Sequence, residues 1–161
     1  MKQGRQLQEL YQQRIHAFRE LKELLEQQQE SLVTHNTQLL QETSDKLVTG
    51  MENIARLEKS WRRLLTRQYQ GNGLSEVPED TLSGFQLSQD ERMILREHQA
   101  QLRQLLKEIE QIKEANRTLL DNSLGFVSTL LRNILEGDQQ AGLYGPGKKV
   151  ASSNRLINRT L

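Results

Sequence analysis

The chain has 161 residues and a formal net charge of +1, with 22 basic and 21 acidic side chains, and its aromatic content is only 4%. Hydrophobic residues make up 35% and charged residues 27%, a mixture typical of long solvent-exposed helices in one domain rather than of a thick globular core. Cysteine is absent, which excludes disulfides, thiol catalysis and cysteine-based metal sites, and the nearly balanced charge argues against a nucleic-acid binder.

The first predicted helix runs from about Arg5 to Val33. Its apolar residues keep helical spacing while polar side chains fill the other face; they are Leu7, Leu10, Tyr11, Phe18, Leu21, Leu25 and Leu32. The polar N-terminus lacks the apolar core of a signal peptide, and no stretch approaches the roughly 20 apolar residues of a membrane span. We therefore expect a soluble, cytoplasmic protein without membrane insertion.

A break is predicted between the first and second helices, where residues 34–37 (Thr-His-Asn-Thr) are small, β-branched or cap-prone. The alternative is one uninterrupted helix of about 65 residues, roughly 100 Å long. A single helix of that length cannot bury its own apolar stripe and would require a coiled-coil dimer. We therefore expect two helices.

The second helix is predicted to end near Gln70, because residues 71–73 (Gly-Asn-Gly) supply the chemistry of a helix C-terminus. We interpret Trp61 on its apolar stripe as a core residue. The whole stripe comprises Leu39, Leu40, Leu47, Met51, Ile54, Leu57, Trp61 and Leu64. The acidic segment that follows, up to about Leu87, is typical of a loop with a short helix or turn that packs back onto the bundle.

Ser88 and Glu91 form a predicted capping box at the start of the third helix. Gly137 is predicted to end this helix, and the rest of the chain is turn-rich and basic. The sequence thus predicts an all-α fold, an elongated antiparallel bundle of about three long helices. We expect a helical domain over residues 1–137 and a flexible C-terminal tail over residues 138–161.

The third helix changes character along its length. Its first half carries a narrow apolar arc of roughly 120°, which suits one partner helix and contains Leu102, Leu105, Leu106, Ile109 and Ile112. Asn116 falls near the centre of that arc. Beyond it the apolar arc widens to roughly 180° and comprises Leu119, Leu120, Leu124, Phe126, Val127, Leu130, Leu131, Ile134 and Leu135. This wide arc is either a thicker local core or a docking surface for another protein's helix.

No catalytic or metal-binding constellation is found in the sequence. His16, His35 and His98 lie on separate segments without the spacing of a metal site. No phosphate-binding glycine motif occurs, and the glycine-rich run at 145–147 follows a helix instead of preceding one. We therefore predict a protein that is not an enzyme and that has no cofactor and no metal site.

Two short motifs carry a resemblance to a known family. Residues 116–120 (Asn-Arg-Thr-Leu-Leu) match an N-x-x-L-L step, and residues 143–147 (Leu-Tyr-Gly-Pro-Gly) match a closing tyrosine–glycine signature. These motifs stand in a chain ordered as helix, kink, helix, acidic loop and long helix. In this combination the chain resembles the FlgN-type flagellar export chaperones over nearly its whole length.

The resemblance implies a cytoplasmic chaperone that binds the C-terminal helices of hook-associated (hook–filament junction) proteins and brings them to the flagellar type III export apparatus. The client would bind the wide apolar arc, at Asn116, Leu119, Leu120, Leu124, Phe126, Val127, Leu130, Leu131 and Ile134. In the family, a tyrosine in the flexible C-terminal end contacts the cytoplasmic domain of the export gate. The matching position here is Tyr144, followed by Gly145.

Other functions stay open at this stage. The same stripes could serve self-association in a structural coiled coil, or another type III secretion chaperone could have a different client. A nucleic-acid adaptor would use the basic side chains near the C-terminus, which are Lys148, Lys149, Arg155 and Arg159. Asn116 either orients the client or is an ordinary polar interruption of a coiled seam, and Tyr144 either docks on the gate or folds back onto the bundle.

Overall fold

The computed structural model describes residues 2–71, 73 and 80–142, with side chains described as far as residue 137. These residues form the helices α1 (Lys2–Val33), α2 (Thr37–Gly71) and α3 (Gln89–Gly142), and the described ranges contain no strand. The prediction of an all-α fold with three long helices is therefore confirmed. Within the same ranges, no helix is long and apolar enough to cross a membrane.

Local side-chain chemistry sets three of the helix ends. The backbone N–H of Leu39 donates to Asn36 Oδ1 at 3.0 Å, and His35 before it has a φ of 53°, so the chain turns between α1 and α2. At the start of α3, Ser88 N–H donates to Glu91 Oε2 at 2.9 Å and Glu91 N–H donates to Ser88 Oγ at 3.2 Å. The predicted break and the predicted capping box are both confirmed.

The prediction that Gly137 ends the third helix is wrong, because α3 continues to Gly142. A glycine ends a helix when it adopts the left-handed conformation just past the last turn, as Gly73 does after α2 with a φ of 74°. Gly137 stays helical at a cost of about 1 kcal/mol. The residues at 139–141 (Gln-Gln-Ala) are good helix formers, so the helix proceeds.

The chain divides into two compact units, residues 1–117 and residues 118–161. In the first unit α2 runs antiparallel to α1, and the first part of α3 runs parallel to α1. Three contacts along α1 show the parallel order: Tyr11 with Gln99, Lys22 with Glu108 and Leu25 with Asn116. The predicted division into a domain over 1–137 and a tail over 138–161 stays a prediction.

The core of the first unit lies between the three helices and the turn before α3. Its buried members are Leu7, Tyr11, Ile15, Trp61, Leu65, Tyr69, Leu82, Phe85, Leu95 and Leu102. Trp61 is 7% exposed and its ring meets that of Tyr11 edge-on at a centroid distance of 5.0 Å. The interpretation of Trp61 as a core residue is therefore confirmed.

The turn at residues 80–85 packs onto α2, as the sequence predicts for part of this connection. Leu82 and Phe85 are buried in the core. The hydroxyl of Tyr69 donates to the carbonyl O of Thr81 at 2.8 Å and accepts from the N–H of Gly84 at 3.2 Å. Tyr69 therefore holds this turn by its polar end while its ring fills the core.

Arg14 is a charged residue in this interior. Its guanidinium donates to Glu58 Oε1 at 2.7 Å and to Glu58 Oε2 at 3.2 Å. The Arg14 Cζ atom also lies 4.8 Å from the ring centroid of Trp61 and 5.5 Å from that of Tyr11. The bidentate ion pair with Glu58 and the contact with the Trp61 ring, both on α2, fix the position of α1 along α2.

Candidate functional site

The first half of α3 carries a buried seam, formed by Leu95, Leu102, Leu105 and Ile109, that packs in the first unit. Every one of these side chains is at most 8% exposed. Leu106, at 40% exposure, lies at the edge of the seam. The seam is as narrow as the sequence predicts, because only one side of α3 is covered here.

Asn116 lies at the end of this seam and faces inward. It is 2% exposed, and its Nδ2 donates to the carbonyl O of Leu25 at 2.9 Å and to Gln28 Oε1 at 3.0 Å. Among the described residues no donor reaches its Oδ1. The side-chain amide is thus engaged by α1, which favours the interpretation of Asn116 as a polar member of the seam over direct contact with a client.

An ion pair reinforces the contact between α1 and α3 near the seam. Lys22 Nζ lies 2.9 Å from Glu108 Oε2. The hydrogen bond between the two side chains lowers the pKa of Glu108 and raises the pKa of Lys22. Both groups are therefore charged at neutral pH, and the pair adds modestly to the register of the two helices.

The second unit presents an exposed apolar face, which we define as the eight client-binding candidates beyond Asn116. Leu119 is half-buried, and the other seven are 37–69% exposed: Leu120, Leu124, Phe126, Val127, Leu130, Leu131 and Ile134. The structure brings all eight onto one helical segment. Their exposure favours the docking surface over the thicker local core, the two interpretations that the sequence left open.

The apolar face of α3 carries little charge. Asp121 is the one ionisable residue between Arg117 and Arg132, so little charge would have to be desolvated on binding. Gly125 has open space where a Cβ would be, and its carbonyl O accepts a hydrogen bond from Thr129 Oγ1 at 3.0 Å. At 100° per residue this glycine lies on the side of α3 opposite the centre of the apolar face, so it does not belong to the docking surface.

Three apolar residues on the α1–α2 hairpin are exposed. Val33, Val48 and Met51 are 61%, 59% and 60% exposed. Met51 had been placed on the apolar stripe of the second helix. It lies about 80° around α2 from Trp61 at 100° per residue, and this angular offset is the signal that separates it from the core.

The other predicted site residues have mixed outcomes. Tyr144 and Gly145 lie outside the described residues, so their role in gate docking stays a prediction. His16 and His35 are exposed and His98 is half-buried beside the Tyr11 ring. Within the part of the chain that the structure describes, no three His, Asp or Glu side chains converge to hold a metal ion.

Comparison with known proteins gives one match. The family model described as "FlgN protein" matches residues 1–152. No curated protein and no solved structure matches the chain.

Proposed function

The chain belongs to the FlgN family of flagellar export chaperones, and we propose that it binds the C-terminal amphipathic helices of hook-associated proteins in the cytoplasm and delivers them to the export gate. The observation that carries this proposal is the exposed apolar face of α3. A soluble monomer gains nothing by leaving seven large apolar side chains on one helical segment in water, whereas a chaperone needs such a surface for its client.

The spacing of the apolar face suits a helical client. Leu120, Leu124, Val127, Leu131 and Ile134 follow one another at intervals of three and four residues. A client helix that presents its own apolar stripe at the same period can align these anchors along about four turns of α3. Covering about 400 Å² of apolar surface in this way is worth about 10 kcal/mol before the costs of association and ordering, which reduce it heavily.

Asn116 has a supporting role in this proposal. Its amide is bonded to α1 at the end of the buried seam, and the exposed apolar face begins three residues later, at Leu119. We expect a substitution of Asn116 to affect the client through the stability of the first unit, and not through a lost contact with the client.

Delivery is assigned to Tyr144, on the basis of the family resemblance. An aromatic ring with glycines close by in the sequence, here at positions 142 and 145, can act as a compact anchor for a transient contact. We expect Tyr144→Ala to leave client affinity unchanged while it reduces secretion of the hook-associated protein from cells. Tyr144→Phe tests whether the hydroxyl contributes. Equal secretion by wild type and Tyr144→Ala would remove Tyr144 from the delivery step.

The client site can be tested with purified proteins. A C-terminal fragment of a hook-associated protein is titrated by calorimetry into the wild-type chain and into a Leu120→Asp/Leu131→Asp variant. We expect the variant to lose at least tenfold in affinity, because two anchors of the apolar face become charged. Circular dichroism checks that helix content is unchanged.

A matched control separates this effect from a general loss of exposed apolar surface. Val48→Asp/Met51→Asp places the same charges on the α1–α2 hairpin, at two side chains of comparable exposure, and should bind the client as wild type does.

The competing function is a structural homo-oligomer that uses the same apolar face. It would be favoured if the wild-type chain bound no client fragment and the Leu120→Asp/Leu131→Asp change converted an oligomer into a monomer in analytical ultracentrifugation.

A further inference from the structure

A stripe of basic side chains runs along α2 on the side away from its core residues. We define this basic stripe as Arg56, Lys59, Arg63 and Arg67, all of which are exposed. At 100° per residue the four positions lie within an arc of about 80° and extend over about 16 Å of helix. The core residues of this part of α2, Trp61, Leu65 and Tyr69, lie on the opposite side. The helix that carries the basic stripe is therefore held in place by the packing of its opposite side in the core.

Glu52 lies one turn before Arg56 on the same side of α2, but the rest of the stripe has no acidic residue on its own side of the helix. The one acidic residue between Glu52 and Glu76 is Glu58, and both of its carboxylate oxygens accept hydrogen bonds from Arg14 in the interior. Within the residues that the structure describes, no ion pair joins a side chain of the basic stripe to a carboxylate.

Charge on the α1–α2 hairpin is also unevenly distributed. Residues 2–19 and 57–71 carry eight basic and two acidic side chains, whereas residues 20–56 carry three basic and seven acidic. Because α1 and α2 are antiparallel, the two basic segments lie at the same end of the hairpin. The field of the basic stripe is thus reinforced by its surroundings, and an anionic partner would be steered to this end.

The stability of the fold does not explain the basic stripe. Like charges four residues apart, such as Lys59 with Arg63 and Arg63 with Arg67, destabilise a helix. The helix dipole favours cations only in the last turn, and the stripe begins far upstream of Gly71. The described cation–ring contacts on α2 are made by Arg14, which comes from α1.

We propose that the basic stripe is the docking surface for an acidic α-helix of a second protein partner, distinct from the client. Carboxylates spaced three and four residues apart on such a helix would meet the guanidinium and ammonium groups of the stripe along its length. The contact would be polar and transient, in contrast to the nearly uncharged apolar face of α3. The basic stripe and the apolar face of α3 share no residue.

The surroundings of the stripe favour a protein partner over other polyanions. Binding of single-stranded nucleic acid relies on exposed aromatic rings for stacking. In the described part of the first unit the rings of Tyr11, Trp61, Tyr69 and Phe85 are buried, and that of Phe18 is partly buried against the core. A helix that lies on a membrane carries a broad apolar face beside its cations. Ser60, Thr66 and Gln70 beside the stripe are polar, and its exposed apolar neighbours are the small Ala55 and, two turns before Arg56, Val48.

The test uses the full-length chain and three labelled probes. These are a helical peptide with glutamates spaced three and four residues apart, a poly-uridine RNA, and vesicles that contain phosphatidylglycerol. The variant is Lys59→Gln/Arg63→Gln/Arg67→Gln. Its matched control, Arg103→Gln/Lys107→Gln/Arg117→Gln, removes the same charge from exposed positions on α3.

We expect the acidic peptide to bind wild type and control equally and to bind the stripe variant about tenfold more weakly, since each exposed ion pair contributes little alone. Binding should also weaken steeply as salt rises. Tighter, stripe-dependent binding of the RNA or of the vesicles would overturn the proposal in favour of that ligand. Equal binding of the peptide by all three proteins would overturn it altogether.

A cellular measurement distinguishes this surface from the client site. The stripe variant should bind the client fragment with wild-type affinity but secrete less hook-associated protein, while the control variant secretes normally. Loss of client affinity in the stripe variant would make the stripe part of the client site and overturn the second-partner proposal. Normal secretion by the stripe variant would overturn it as well. Both of these measurements rest on the proposed function, because they require a hook-associated client, whereas the titration with the acidic peptide does not.

Discussion

The side-chain amide of Asn116 donates a hydrogen bond to the backbone carbonyl of Leu25, with an Nδ2–O distance of 2.9 Å, across the contact between α3 and α1. An apolar seam alone can slide by one helical turn and still bury its leucines. A buried amide is satisfied at one register only, so it specifies how two parallel helices align. Asn116 therefore determines where along α1 the buried seam of α3 ends.

Replacement of Asn116 tests this role. Asn116→Ala removes the two hydrogen bonds and leaves a small cavity, so we expect the free energy of unfolding to fall by about 1–3 kcal/mol in urea titrations. Asn116→Leu fills the space and removes an amide oxygen that no donor reaches among the described residues. It should therefore lower the free energy of unfolding by less than Asn116→Ala does. The role would be contradicted if the leucine variant were less stable than the alanine variant.

Loss of Glu58 should destabilise the first unit strongly. Glu58→Ala leaves the guanidinium of Arg14, which is 8% exposed, without its carboxylate, and we expect a loss of about 1.5–3 kcal/mol. Glu20→Ala removes the carboxylate of an exposed pair with His16 and should change stability by less than about 0.5 kcal/mol. Equal effects of the two substitutions in thermal unfolding would show that the Arg14–Glu58 pair adds no more than a surface contact.

Two glycine-to-alanine substitutions should change the free energy of unfolding in opposite directions. A Cβ at Gly84 would lie 2.5 Å from Tyr69 Cε1 and 2.7 Å from Tyr69 Cζ, so Gly84→Ala should destabilise by about 1–3 kcal/mol. A Cβ at Gly50, in the middle of α2, meets Leu24 Cδ1 at an ordinary 3.8 Å. Gly50→Ala should therefore stabilise by about 0.5–1 kcal/mol through helix propensity. Chemical unfolding of both variants checks the contrast.

The free energy of unfolding should fall in acid, because two carboxylates that are hydrogen-bonded in the folded state become protonated. Hydrogen bonding lowers the pKa of Glu91, chiefly by the Ser88 backbone N–H, and that of Glu108, chiefly by Lys22, from an ordinary value of 4.5. A lowered folded-state pKa adds stability that is fully present above 4.5 and is lost as the pH falls through the folded-state value. We expect the urea midpoint to be steady from pH 6 to 8 and to fall below about pH 4.5.

The double variant Glu91→Gln/Glu108→Gln identifies the groups responsible for the acid effect. It should lose less stability than wild type between pH 5 and 3, because neither glutamine titrates. Lys22 acts in the opposite direction: its pKa is raised above 10.5, so its contribution is present below that pH and is lost only in strong base. An unchanged acid response in the double variant would assign the effect to other carboxylates.

Local chemistry made the helix order predictable from the sequence. Asn36 and Ser88 each combine a capping side chain with a following helical pattern, and Gly73 supplies the left-handed residue after α2. Such signals act within a few residues, so no knowledge of the tertiary structure is needed to recognise them. The wide apolar arc of α3 could also be predicted, because its width follows from helical spacing alone, but the spacing left open whether the arc is a local core or an exposed surface.

Relationships between distant segments were not predictable. Helical spacing places Arg14 near the apolar side of α1, but nothing local identifies Glu58, 44 residues away, as its partner. The hydrogen bonds of Asn116 to α1 could not be predicted either. Helical spacing places Asn116 on the apolar arc of α3 but does not identify the helix that packs against it. The helix continues past Gly137 because the helix-forming residues after it outweigh the cost of a single glycine, and no single position carries that balance.

The parallel arrangement of α1 and α3 has a consequence for synthesis on the ribosome. Arg14 meets Glu58 within the first half of the chain, whereas Tyr11 and Leu25 meet their α3 partners 88 and 91 residues later. The α1–α2 hairpin can form as soon as α2 has emerged, but its remaining apolar side waits for α3, a delay of a few seconds at roughly 5–20 residues per second. During translation, the apolar side of the α1–α2 hairpin therefore stays exposed to water until α3 has been made.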